Sequence, residues 1–564
     1  MRRESEAAWN HYNLAIVKTL PLYVALTVAL TWPLAAGIAR DVPGDLGDPL
    51  FTSWALAWDA THLGRGWWSA NIFAPHPLAL GYSEHFLPQA LQVWPVYAAT
   101  RNPILCYNLL FFSPIVLAFI MWELTRSNRW RDRRALVHVA IVCVAVAVAT
   151  APFLLPYIEL RRLGFSPRSL AETRRFSADV YAYLTADPNL RLWGPIAQAW
   201  PHAEGVLFPG LTIAILAIVG AWRGDGSPEG LRYRNAERSR PPVAPAFRFA
   251  HGREFVTLQV AGAVWIGIVV ALLLGYSIRL PGIKITSLAR VLAFGAIACA
   301  GLLAASDRAR AGVREWLATP SGFFTLVAVF AIAMSFGPEI HARGRTVASA
   351  NLYTFFYAWV PGFDGLRVPA RYAMIASLAL AALAALGVAA LGRRRRRGAA
   401  IVASLLIAAE AIAVPIPIDQ NSTAYGQRNL APLPPFVASD AGAPPVYDVV
   451  AQLPASAVLL EMPLGEPAFD IRYMFYSMRH WRRLVNGYSG GAPESYLTLT
   501  NALIDAAAQP DRAWREIGAS TATHVVVHER AYANAEGRRL SDWLRARGAH
   551  EIASLAGDRL FALQ

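Results

Sequence analysis

Apolar residues fall along this chain in long blocks, separated by short polar stretches that carry many of the arginines. A helix needs about 20 apolar residues to cross the hydrocarbon core of a bilayer. Segments 19–39, 104–125, 135–155, 207–222, 255–276, 286–305, 321–337, 372–392 and 399–418 reach that length or come near it, so the pattern predicts about nine spans. Beyond residue 446 the pattern shortens: 457–461 and 524–528 read as strands and 537–547 as an amphipathic helix. The expected fold is a polytopic α-helical membrane protein with its helical body over 1–418, a Pro-rich linker at 419–445, and a small soluble α/β domain at 446–564.

Charge then orients these blocks. Arg2, Arg3 and Lys18 flank the first run, which has no small-residue cleavage site, so it reads as a retained anchor with a cytoplasmic N-terminus. Counting on from there, the loop with Arg126, Arg129, Arg131, Arg133 and Arg134 falls inside, as do 223–254 and Arg393 to Arg397. Positive charge and parity agree at these loops. Loop 156–206 opposes them, being external by count yet holding Arg161, Arg162, Arg168, Arg174, Arg175 and Arg191. The stretch 85–103 is broken by Pro88 and Pro95 and reads as interfacial or re-entrant, and 223–254 as a disordered cytoplasmic loop. This count makes the chain multi-pass, with an extracytoplasmic C-terminal domain.

Composition strengthens the membrane reading, because 55% of the 564 residues are hydrophobic and 16% charged, against about a quarter charged in soluble domains. The net charge of +14 does not point to nucleic acid, since the arginines cluster at the ends of apolar blocks. Cys106, Cys143 and Cys299 lie in apolar runs without metal-ligand spacing and read as packing residues. The C-terminal segment carries no nucleotide-binding glycine motif, Walker lysine or Ser-His-Asp elbow.

The first external loop, 40–103, concentrates candidate chemistry: Asp41, Asp45, Asp48, Asp59, Glu84 and His85 among Trp54, Trp58, Trp67 and Trp68. A carboxylate can take the proton from an acceptor hydroxyl, and an indole face packs on a sugar ring. Solvated loop acids and an interfacial aromatic belt account for the same residues. Asp48, in Gly47-Asp48-Pro49, also suits a helix cap. Glu84 and His85 offer a divalent cation two adjacent ligands, a weak site, so a divalent cation stays open and no metal or other cofactor is assigned.

Gly47-Asp48-Pro49-Leu50 with Trp54 and Trp58, Asn71 through Pro77, Tyr82-Ser83-Glu84-His85 and Asn102-Pro103 with Tyr107 through Leu110 together resemble a group of bacterial GT-C-type glycosyltransferase-like membrane proteins. Leu207-Phe208-Pro209-Gly210, Pro361 through Arg371, His480-Trp481 and Asn486 through Gly490 are similar to the same group, so the likeness covers most of the chain. Between Thr125 and Ala135 the chain is shorter than in that group, by about two helices.

The resemblance implies transfer of a sugar from a polyprenyl-phosphate donor to an extracytoplasmic saccharide, lipid or protein acceptor. It maps the general base onto Asp48, with Asp45 or Glu84 as fallback, and the substrate-binding residues onto Trp54, Trp58 and His85. Arg174, Arg175, Arg367 and Arg371 are expected at donor phosphate, or at lipid head groups, as guanidinium chemistry allows. His480, Trp481, Asn486 and Tyr488 are expected on an acceptor surface, or in packing. The competing expectation is a non-catalytic scaffold or exporter of a lipid-linked saccharide in envelope biogenesis. Its weakness is the scarcity of ionisable residues within the spans, Glu123 and Glu410 lying toward helix ends or flanks.

Overall fold

The computed structural model describes residues 25, 27–64, 66–82, 85–110, 155–163, 169–202, 204–223, 253–280, 283–317, 319–360, 363, 366–391, 393–421, 429–432, 436 and 443–563. Two compact units divide the chain: Met1–Ser166 with Pro415–Gln564, and Pro167–Val414.

The first unit is built on a five-stranded sheet in the order Arg483–Leu484, Val458–Met462, His524–His528, Asp558–Ala562, His550–Leu555. The first three strands run parallel and the last two pair antiparallel. Val458–Met462 is buried at every position, as a strand covered on both faces must be. The helix Asp48–Thr61 is buried along most of its length, and the same hydrophobic core contains its Trp54 and Trp58 together with Leu460, Val525 and Phe561 of the sheet. The first loop and the C-terminal segment therefore share one core. Backbone hydrogen bonds extend the sheet toward the loop: Ala74 N–H donates to Leu484 O at 2.8 Å and Leu484 N–H to Asn71 O at 2.8 Å. Gly487 makes that approach feasible, since a Cβ there would lie 2.7 Å from the Phe73 ring.

The second unit is helical with two short hairpins, Ile278–Leu280 with Ile283–Ile285 and Ile340–Ala342 with Arg345–Ala348. Tyr372–Ala389 packs on Leu211–Arg223 and Pro320–Ser335. The first of those contacts runs through glycine: a Cβ on Gly220 would lie 1.8 Å from Leu383 O, and one on Gly387 would lie 2.2 Å from Leu216 O. Small residues let helix backbones meet, a packing mode common where lipid removes the hydrophobic drive between helices. Glu410, at the end of Arg393–Glu410, caps Leu211–Arg223 by accepting from Thr212 Oγ1 at 2.7 Å and Thr212 N at 3.2 Å.

The polytopic helical body of about nine spans is not supported. Among the described residues only Leu288–Ala305 and Pro369–Ala389 are long and apolar enough to cross a membrane. Apolar helices over Leu211–Trp222, Ala261–Leu273 and Pro320–Ser335 are shorter. Apolar composition runs past the points where helices stop: Phe208-Pro209-Gly210 precedes one of them, and Gly337, with φ 65°, follows another. Arg393–Glu410 opens on five consecutive arginines, which a spanning window does not accommodate. Stretch 85–103 forms the helix Leu87–Thr100, packed on Asp48–Thr61. Of the expected span 19–39 the described part, 25 and 27–39, is no continuous helix, since turns and a 3-10 helix over Leu34–Gly37 interrupt it. Most of 104–125 and nearly all of 135–155 and of loop 223–254 lie outside the described residues.

The two qualifying helices carry exposed apolar side chains, among them Phe294 and Ile297 on one and Met374 and Leu378 on the other. Such surface needs a non-aqueous neighbour, which supports association with a membrane.

Candidate functional site

Asp45 and Asp48 stand at the entry to the helix Asp48–Thr61. Asp45 Oδ1 accepts from Gly47 N at 2.7 Å, which fixes the turn. Pro49, preset for a first helical turn, follows Asp48, whose charge the helix dipole favours at that end. Both side chains are exposed. Between them Leu46, with Leu50 beyond, packs against Ile104 and Phe475. The Tyr107 phenol sits near enough to both acids that, after burial, the charges of Asp48 and then Asp45 push its pKa up.

The other acids of the loop differ in setting. Asp41 is half-buried and accepts from Arg40 Nε at 3.2 Å. Asp59 is fully buried and accepts from Trp67 Nε1 at 2.7 Å and Phe86 N at 2.9 Å. Burial dominates and raises its pKa to about 6, against those two donors. Glu84 lies outside the described residues.

The indoles lie in the core. Trp54 donates to Asn71 Oδ1 at 3.2 Å and Trp58 to Trp67 O at 2.8 Å, and both are almost without exposed surface. His85 meets Trp67 and Trp68 in T-shaped contacts, and burial lowers its pKa.

Of the residues singled out in the C-terminal segment, Asn486 bonds to the strand Val458–Met462, and the others pack against rings elsewhere in the unit. Asn486 is fully buried: its Oδ1 accepts from Glu461 N at 2.7 Å, and its Nδ2 donates to Glu461 O and Asp470 Oδ1, each at 2.8 Å. Asp470 also accepts from Tyr496 OH at 2.6 Å and Gly465 N at 3.0 Å, and burial raises its pKa to about 7 against these donors. His480 is buried against Tyr447, and its Nδ1 accepts from Arg482 N at 2.9 Å. Trp481 meets Trp58 and His62 edge to face, at 5.5 and 4.7 Å between ring centroids. Tyr488 packs against Phe51. The structure thus joins Trp58 to Trp481 and the Asn71 segment to Asn486, motifs some 400 residues apart.

The four arginines belong to the second unit, and three of them face carboxylates there. Arg174 pairs with Glu339 at 2.7 Å, Arg367 with Glu172 at 2.9 Å and Arg371 with Glu204 at 3.2 Å. Arg367 and Arg175 also lie over the Phe176 ring, at 4.6 and 5.7 Å.

Sequence reasoning missed a cleft of about 590 Å³ in the first unit, lined among others by Tyr97, Arg101, Tyr476 and Arg479 beside Trp481. Its one sequence signal is Thr100-Arg101-Asn102-Pro103, where the proline forces a helix to end. Among the described residues no group of three His, Cys, Asp or Glu side chains is placed to hold a metal ion. Comparison with protein-family models, with curated proteins and with solved structures finds no match to this chain.

Proposed function

We propose that the protein is a membrane-associated glycosyltransferase that moves a sugar from a polyprenyl-phosphate donor to an extracytoplasmic acceptor, with Asp48 as general base. The acceptor hydroxyl attacks the anomeric carbon, the bond to phosphate breaks with its electron pair leaving on polyprenyl phosphate, and the hydroxyl proton passes to Asp48. The supporting observation is the exposed pair Asp45 and Asp48 at the start of the helix Asp48–Thr61, in a loop whose Asp59 is sealed in the core. A base has to reach its substrate, and of these acids the exposed two meet that condition. In this reading the protein sits in a bacterial cytoplasmic membrane, N-terminus inside, with the sheet unit on the extracytoplasmic face.

A scaffold or export role is the second reading. It is favoured by the use of Trp54, Trp58, His480 and Asn486 as interior packing and hydrogen-bonding groups. Membranes carrying wild type or Asp48→Asn, incubated with labelled polyprenyl-phosphate sugars, separate the two. Polyprenyl phosphate release that depends on Asp48 supports transfer; release unchanged by the substitution removes Asp48 as the base, and no release from any donor removes transfer in favour of the second reading.

A further inference from the structure

We propose that the cleft between the ends of the helices Leu87–Thr100 and Pro467–Ser477 is a binding site for an anionic sugar, an inference that rests on the reading of this protein as acting on sugars. Its lining joins Tyr97, Tyr476 and Trp481 to Arg101 and Arg479, with Asn102 at the edge, and among the described residues that line it none is acidic. Aromatic faces suit the apolar face of a sugar ring, and guanidinium suits a carboxylate or phosphate. Ile104 and Phe475, which line the cleft, also pack against Leu46 and Leu50, so one small core supports both the cleft and the loop that carries Asp45 and Asp48.

Backbone conformation gives a second, independent argument. Arg101 ends the helix Leu87–Thr100 with φ 53° and ψ 22°, its amide donating to Tyr97 O at 2.8 Å. Trp481 follows the other helix with φ 52°, its amide donating to Ser477 O at 2.7 Å. Left-handed positions after helix ends are where glycine fits without steric cost. Here two of the largest side chains occupy such positions, and both line the same cleft. Strain held in this way collects at ligand sites.

The charges are arranged to accept an anion. Arg101 makes no ion pair among the described residues; its guanidinium lies 5.9 Å from the Tyr97 ring. Arg479 is steadied by Asp448 at 2.8 Å, a carboxylate that is itself largely exposed. The anion could be the phosphate of a sugar phosphate or the carboxylate of a uronic acid, and the two sources are separable by titration.

The test is calorimetric titration of the full chain in lipid nanodiscs with glucose 1-phosphate, trigalacturonate and neutral maltotriose. Binding of glucose 1-phosphate or trigalacturonate, weakening with salt and exceeding that of maltotriose, is expected; which of the two binds identifies phosphate or carboxylate as the anion. Arg101→Gly should weaken that binding by roughly tenfold or more without lowering the melting temperature, because glycine suits the left-handed position. A purely structural arginine would show the reverse, a lower melting temperature with unchanged binding, and that result overturns the proposal. So does equal affinity for maltotriose, or no binding of either anion by wild type. Polyprenyl phosphate release by Asp48→Asn is scored separately, so a failed cleft and a failed transferase reading are told apart.

Discussion

His528 and Glu461 face each other across adjacent parallel strands, Nε2 3.0 Å from the Glu461 carboxylate, while Nδ1 lies 2.8 Å from Asp558. Tyr447 OH donates to the same Glu461 oxygen at 2.6 Å. Burial, the largest influence, disfavours a charged imidazole, yet the hydrogen bonds the ring donates to Asp558 and Glu461, with their charges, outweigh it and hold the His528 pKa up at about 9, against 6.5. A folded pKa above the unfolded one means the stabilisation is complete below about pH 6.5 and is lost as pH rises through about 9. Thermal melts of the full chain should show the melting temperature falling over that window. His528→Leu should cost about 3–5 kcal/mol at neutral pH by stranding buried carboxylates, and should flatten the alkaline decline. An undiminished alkaline decline in the variant would show that another group is responsible.

His480 gives the opposite sign. Burial first, then the charges of Arg482 and Arg479, depress its pKa from 6.5 to about 3. The unfolded chain takes up this proton before the folded one does, so the contribution is present above about pH 6.5 and is lost as pH falls toward 3. Urea unfolding of wild type and His480→Gln between pH 7 and about 4 checks this. The variant should lose less stability on acidification, and equal acid slopes would refute the assignment.

These two histidines mark where the sequence stops being readable. The strand His524–His528 was legible as a short β-branched run, and the helix Glu536–Ala546 from its alternation of arginines with apolar residues. That His528 would meet Glu461 and Asp558 was not, because the register of distant strands depends on a core assembled from the whole unit. The helical body was overread for a related reason. Apolar composition does not register where a helix begins or ends: Pro209 and Gly337 lie outside the helices of their segments, and the helix expected over 399–418 runs instead from Arg393, with its arginines, to Glu410. The density of acids singled out the loop of Asp45 and Asp48, and the resemblance chose Asp48 within it. The cleft lined by Arg101 and Trp481 was not legible, since left-handed backbone and the convergence of two helix ends leave no spacing pattern.

Asp59 supplies a third test. Its two oxygens each hold one donor, Trp67 Nε1 and Phe86 N. Trp67→Phe keeps much of the aromatic volume but deletes one donor, and a buried acceptor left short costs about 1–3 kcal/mol. With the opposing hydrogen bond gone, the carboxyl pKa should rise above its value of about 6. Because a raised carboxyl pKa confers stability at low pH that is lost as pH climbs through it, the defect should be largest above neutrality. Melts of Trp67→Phe and wild type across pH 5 to about 8 measure this. A deficit that does not grow with pH would mean lost packing, and not the lost donor, sets the cost.

The glycine contact in the second unit makes the most demanding prediction. A Cβ on Gly220 meets Leu383 O at 1.8 Å, with its carbonyl carbon at 2.7 Å and Gly387 N at 2.9 Å, so all three obstacles are backbone. No rotamer change relieves such a clash; the helices Leu211–Arg223 and Tyr372–Ala389 have to separate, undoing the largest helix contact of this unit. Overpacking of a core side chain costs about 1–3 kcal/mol, and a rigid backbone obstacle should bring Gly220→Ala to the upper end of that range. Gly262, where an added Cβ would meet nothing within 4 Å, is the matched control. Gly262→Ala should be neutral or slightly stabilising, since alanine is the better helix former. Limited proteolysis and melting in detergent read both variants. If Gly220→Ala were as stable as Gly262→Ala, the close helix approach would not exist in the folded protein, and the small-residue packing argued for this unit would fall with it.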